Sequence, residues 1–183
     1  MIKKKLLIGL VFCMTLSLTT VTAFATDTVI TGGSLSVTPG AIATFIPVTL
    51  NGTVQTTTTT FASTDIVDST GSGSGWNVKI DASVLTNATA PVGFTTLPAS
   101  SLAIAATTVT AADGASADSP TDIVKSIGTI DDGTGVKVLS AIANQGMGTY
   151  TANFGGLTLT LNPKDVYAGT YTTTITTTLT STP

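Results

Sequence analysis

From Tyr171 to Leu179 the chain alternates with a period of two. Tyr171, Thr173, Ile175, Thr177 and Leu179 fall on one side; Thr172, Thr174, Thr176, Thr178 and Thr180 fall on the other. That period belongs to an extended strand, because a helix would spread the same residues around its whole circumference. The supply of threonine points the same way. Once the first 25 residues are set aside, roughly a quarter of the chain is Thr, far above ordinary usage. Thr is β-branched and fits a pleated surface better than a helix. Glu and Arg, two good helix formers, are absent.

Further strands follow from the same alternation. Ile46, Val48 and Leu50 share a face, as do Trp76, Val78 and Ile80, with Asn77, Lys79 and Asp81 opposite. Val136 and Val138 flank Lys137; Tyr150, Ala152 and Phe154 alternate with Thr151 and Asn153; Leu157, Leu159 and Leu161 alternate with Thr158, Thr160 and Asn162. Gly155-Gly156 between two strands predicts a hairpin turn, and Asn51-Gly52 a tight turn. Many short one-sided strands predict an all-β fold, a two-sheet antiparallel β-sandwich. Residues 86–122, rich in Ala, Thr, Ser and Pro, predict a loop-rich insertion with turns at Asp113-Gly114 and Ser119-Pro120 and one strand at Leu102 and Ile104. The Thr rows, including Thr56 to Thr60, fit cross-strand pairing of methyls and hydroxyls, or a polar platform for a glycan or another subunit.

The N-terminus has the layout of a secretory signal peptide: Lys3, Lys4 and Lys5, an apolar stretch from Leu6 to Leu18, and the small-x-small site Ala23-Phe24-Ala25. The expected division is a signal peptide over 1–25 and a single β-sandwich domain over 26–183, secreted to the extracellular side. The apolar stretch is too short for a membrane span of about 20 residues, and no later segment is long and apolar enough to be one. Cys13, the only cysteine, follows Phe12 inside the apolar stretch, which does not fit a lipidation site. Removing Lys3, Lys4 and Lys5 from 7 Lys and 10 Asp leaves 4 against 10, a net charge of −6. That balance excludes a nucleic-acid footprint and docking to anionic lipid.

Chemistry is scarce. There is no histidine, so Ser-His-Asp and Cys-His sites are excluded. Once Cys13 is removed with the expected signal peptide, the usual zinc ligands are missing apart from carboxylate. Acid–base work would fall to paired aspartates, Asp65 with Asp68 or Asp131 with Asp132. Asp131-Asp132-Gly133-Thr134-Gly135, however, is the pattern of a turn in which Asp caps the backbone. No D-x-D-x-D-G run is present for calcium. No enzyme activity, cofactor or metal is expected. Asn51-Gly52-Thr53 and Asn87-Ala88-Thr89 match the glycosylation sequon.

Trp76 is the only tryptophan and follows Gly71-Ser72-Gly73-Ser74-Gly75. Its strand context allows two readings: a core anchor on the face shared with Val78 and Ile80, or a ring that contacts a ligand.

Trp76-Asn77-Val78 and the C-terminal Tyr171-Thr172-Thr173-Thr174-Ile175-Thr176-Thr177-Thr178-Leu179-Thr180-Ser181-Thr182-Pro183 together resemble the WxL cell-surface domain of Gram-positive bacteria. That domain pairs a proximal Trp-x-Leu with a distal Tyr-x-x-x-Leu-Thr-Trp-x-Leu-x-x-x-Pro. The opening Thr31-Gly32-Gly33-Ser34-Leu35-Ser36-Val37 and the run from Asp68 to Gly75 are also similar to such domains. The pattern departs at Val78, which stands for Leu, and at Thr177, which stands for the second Trp and removes one of two rings. The resemblance implies non-covalent attachment to peptidoglycan and association with other surface proteins of the same system. Sugar binding would use the faces of Trp76, Tyr171, Tyr150 and Tyr167 and nearby Thr hydroxyls. The alternative is a structural subunit that assembles through strand edges, since the final strand has little charge to blunt its edge.

Overall fold

All regular structure among the described residues, 28–117 and 122–182 of this computed structural model, is β. The strands are β1 (Leu35–Thr38), β2 (Gln55–Thr59), β3 (Thr64–Asp68), β4 (Trp76–Ala82), β5 (Leu102–Ile104) and β6 (Thr107–Ala111). They continue with β7 (Ile123–Lys125), β8 (Gly128–Thr129), β9 (Val136–Ala141), β10 (Gly148–Phe154), β11 (Leu157–Leu161) and β12 (Ile175–Ser181). They form three antiparallel ladders of four, in the orders β1-β3-β10-β6, β2-β11-β5-β8 and β12-β4-β9-β7.

The chain shows how these ladders relate. It passes from β2 into β3, from β5 into β6 and from β10 into β11, and the three crossings lie in the same left-to-right order in both ladders. Neighbouring crossings are stitched together: Ala105 N–H donates to Gly156 O at 3.0 Å and Gly155 N–H to Ala106 O at 3.2 Å. The first two ladders are therefore two arms of one bent sheet. The β12-β4-β9-β7 sheet packs on it, and the Trp76 ring of β4 meets the Tyr150 ring of β10 with centroids 5.8 Å apart. Along one rim, Ala82 N–H donates to Ile130 O at 2.7 Å and Ile130 N–H to Leu102 O at 2.9 Å, which ties β4 to β5. The expected all-β antiparallel sandwich forms, with one of its layers folded over at a corner.

The core follows the alternation in the sequence. Trp76, Val78 and Ile80, Tyr150, Ala152 and Phe154, and Leu157, Leu159 and Leu161 all point into one buried cluster. On the outer face, Thr56 and Thr58 of β2 stand directly opposite Thr160 and Thr158 of β11. The expected cross-strand Thr pairs are thus in place.

Four expectations are corrected. Gly155-Gly156 is the corner between β10 and β11 and not a hairpin, since those strands lie in different ladders. Residues 46–50 form no strand: Pro47 removes the donor that a ladder needs there, and Ile46 and Leu50 are exposed. The 86–122 stretch holds β6 as well as β5, because Thr107, Val109 and Ala111 alternate inward with Thr108 and Thr110 outward. The final ladder begins at Ile175, so Tyr171 precedes the strand, where Thr172 and Thr86 exchange main-chain bonds at 2.9 Å each. The expected signal peptide over 1–25, with Cys13, and Ser119-Pro120 and Pro183 lie outside the described residues.

Threonine has a second structural use. The chain contains four Asn/Asp-x-Thr sequences, starting at Asn51, Asp68, Asn87 and Asp132. In each, one side-chain oxygen accepts both the N–H and the hydroxyl of the Thr two residues on, at 2.7–3.0 Å. Both sequons belong to this set, and Asn87 is buried. They are turns of the Asx kind, closed with an extra hydroxyl bond.

Candidate binding site

The two signature stretches lie on neighbouring strands. β12 pairs with β4 in continuous register: Ser181 opposite Trp76, Thr180 opposite Asn77, Leu179 opposite Val78, Thr177 opposite Ile80 and Ile175 opposite Ala82. Ile175, Thr177 and Leu179 turn inward but stay half-buried, because β12 is an edge of its sheet. Asn77 lies on the face of β4 opposite Trp76 and Val78, is itself buried, and accepts the Ser140 hydroxyl at 2.6 Å.

The four rings expected to contact a ligand separate into two pairs. Trp76 and Tyr150 are core residues, both fully buried and in contact with each other. The indole N–H donates to Gly146 O at 2.8 Å. The Tyr150 hydroxyl donates to Ser116 O at 2.9 Å, with Met147 O at 3.1 Å. Neither ring offers a face to a ligand, which corrects that expectation: the inward face of a sandwich strand places them in the core. Gly75 and Gly146 make this packing possible. Both have positive φ, 76° and 77°, and a Cβ on Gly146 would lie 2.6 Å from the indole nitrogen. The Gly-Ser run before Trp76 is also held in place: Asn144 N–H donates to Gly73 O at 2.7 Å and the Thr182 hydroxyl to Ser74 O at 2.7 Å.

Tyr167 and Tyr171 form the other pair, at the surface. The Tyr171 hydroxyl accepts the Tyr167 N–H at 3.0 Å and lies 3.5 Å from Phe94 O. The Phe94 and Tyr167 rings sit 6.3 Å apart, both substantially exposed. Tyr167 and Tyr171 edge a groove of about 570 Å3. Its floor is Leu159, Leu161 and Thr57 from the inward faces of β11 and β2; one wall is residues 166–171 and the other is residues 45–50. Among the described residues no charged side chain lines it. The 45–50 wall is held by side chains: the hydroxyl of Thr57 donates to Ile46 O at 2.7 Å, that of Thr59 to Ala43 O at 2.6 Å, and Gln55 Nε2 to Thr49 O at 2.9 Å. Alternation does not reveal this wall. The usable signal is the apolar run Phe45-Ile46-Pro47-Val48, too interrupted by proline for a strand yet too apolar for an ordinary loop.

The aspartates are occupied individually. Asp65 and Asp68 point to opposite sides of β3; Asp65 accepts the Thr151 hydroxyl at 2.9 Å and Asp68 closes its turn. Asp131 is fully buried and its two oxygens accept the N–H groups of Ser101 and Leu102 at 3.0 Å each. Asp132 is exposed. The N–H and hydroxyl of Thr134 and the N–H of Gly135 hold its carboxyl below the usual carboxylate range. Among the described residues no group of three or more His, Cys, Asp or Glu could hold a metal ion, and no helix is long and apolar enough to cross a membrane.

A family model described as a WxL domain, surface and cell wall-binding, matches residues 16–183, nearly the whole chain. No curated protein and no solved structure matches.

Proposed function

Because the chain belongs to the WxL family of cell wall-binding surface domains, we propose that it is a secreted, non-catalytic domain that attaches non-covalently to the peptidoglycan of a Gram-positive wall. The observation that carries the site is the apolar groove edged by Tyr167 and Tyr171, with the Phe94 ring beside Tyr167. Apolar walls with a few hydroxyls suit a neutral polymer with alternating apolar and polar faces. Asp65, Asp68, Asp131 and Asp132, the aspartates that could have paired for acid–base work, are each committed to a hydroxyl or to main-chain N–H groups, which supports the non-catalytic reading. Pelleting with purified sacculi tests attachment, and Tyr167→Ala tests the groove. Protein that stays in the supernatant at every salt concentration defeats the first; a Tyr167→Ala variant that pellets like the parent defeats the second.

A second reading is assembly of copies through strand edges. It is favoured by β12, a seven-residue edge strand without a charged residue. Sizing at rising concentration decides it, and a monomer throughout counts against it.

A further inference from the structure

β2 carries main-chain groups that the rest of the described chain leaves unused. β11 runs between β2 and β5. Thr160 of β11 donates its N–H to Ser101 O, on the β5 side. Main-chain groups alternate in direction along a strand, so Leu157, Leu159 and Leu161 bond toward β2. Their partners are Thr59, Thr57 and Gln55. Thr56 and Thr58 must then aim their N–H and C=O groups outward, away from β11. Thr60 has the same parity, and its outward carbonyl accepts the Ala43 N–H at 3.1 Å.

From Ala43 the 43–50 segment could have continued beside β2 as a further strand. It does not, because Pro47 has no N–H. The carbonyls of Ile46 and Thr49 are taken by the side chains of Thr57 and Gln55 instead. The segment leans away from the edge and leaves a cleft of about 510 Å3 lined by residues 46–49 and 55–58. Gln55 Oε1, part of that lining, is buried and accepts no hydrogen bond.

We propose that this cleft receives one extended peptide strand from another protein, paired main chain to main chain with Thr56 and Thr58. Their outward groups are two residues apart, about 7 Å along the strand, which is the repeat that alternate residues of an extended peptide present. A sugar chain has no such row of paired donors and acceptors. Residues 46–49 line the cleft together with the β2 edge, so an added strand would lie against both. Among the described residues no charged side chain lines the cleft, which suits an uncharged occupant. The exposed Thr56 and Thr58 side chains favour β-branched neighbours across the pair.

The test uses nitrogen-15-labelled protein and a blocked hexapeptide of alternating Thr and Val. In the protein alone, the Thr56 and Thr58 amides should exchange freely while those of Thr57 and Thr59 are protected. With the peptide, the Thr56 and Thr58 amides should slow by about tenfold or more. The same peptide N-methylated at alternate residues should have no effect. Thr58→Pro removes one outward N–H without touching the bonds to β11, and should abolish protection at Thr56 by the peptide. If that variant does not fold, the N-methylated peptide with the parent protein still decides. The proposal is overturned by protection of Thr56 and Thr58 in the protein alone, by no added protection with peptide, or by equal protection from the N-methylated peptide.

Discussion

Replacing Trp76 separates its place in the core from any role in binding. Burying an indole removes about 150–250 Å2 from water, worth about 4–6 kcal/mol at 25 cal/mol per Å2. Phenylalanine at 76 keeps most of that area. It loses the N–H that bonds to Gly146 O, in a buried glycine. Leaving that carbonyl without a donor costs about 1–3 kcal/mol. A small void where the second ring stood, against Tyr150 and Gly146, adds to it. Trp76→Phe should therefore destabilise by about 2–4 kcal/mol, and Trp76→Ala by about 3–5 kcal/mol. Against a total of about 5–15 kcal/mol for an ordinary domain, the Phe variant stays folded and the Ala variant approaches the threshold.

Urea unfolding followed by far-ultraviolet circular dichroism reads this without depending on the lost fluorophore. In the parent, Trp76 is the sole tryptophan, so its emission should be blue-shifted and insensitive to iodide until the unfolding transition. Sacculus binding by Trp76→Phe, measured well below its transition, should match the parent. An unchanged midpoint together with lost wall binding would refute the reasoning, because it would put the ring on the ligand and not in the core.

Gly146→Ala should cost about 2 kcal/mol or more, since it adds positive-φ strain to a clash with the indole nitrogen; the urea midpoint reads it. Asp131→Ala leaves the buried N–H groups of Ser101 and Leu102 unpaired, and should cost about 3 kcal/mol on the same measurement. Asp132 titrates lower in the folded protein than its ordinary 3.8. Its contribution is therefore present above about pH 4 and is lost as pH falls through the depressed folded value. The stability gap between the parent and Asp132→Asn should narrow between pH 6 and pH 3, and a constant gap would contradict it. Tyr167→Ala removes a half-exposed ring, so it should change stability by less than about 1 kcal/mol while weakening sacculus pelleting.

Strand positions and the core were legible because period-two alternation survives in β4, β10, β11 and β12, where one face is buried. The corner at Gly155-Gly156 was not. A glycine pair between two strands reads alike whether the chain reverses or passes into another ladder, and only the partners of β10 and β11 distinguish the cases. Tyr150 and Tyr167 illustrate the same limit at the level of the site. Both are tyrosines near apolar residues, yet Tyr150 sits at an inward position of a central strand and Tyr167 in a connection. For Tyr150, alternation with Ala152 and Phe154 already carried the answer. The groove was hidden because its walls are irregular segments, held by Thr and Gln side chains that bond residues 6–16 positions away.

The register of β12 on β4 also recasts the departure at Thr177. If the two family tryptophans formed one aromatic platform, position 177 would have to lie beside Trp76. It lies opposite Ile80, whereas Trp76 faces Ser181. Four residues of strand separate them, about 13 Å, beyond the 4.5–7 Å at which rings interact. A ring at 177 would instead sit half-buried on the edge strand, near β1, whose Leu35 and Val37 are themselves only partly buried. The substitution thus spares the packing around Trp76 and thins the apolar cover along one edge of the sandwich. Thr177→Trp should accordingly stabilise the domain, read as a higher urea midpoint. A domain destabilised by that change would show that β1 and β12 have closed over the space.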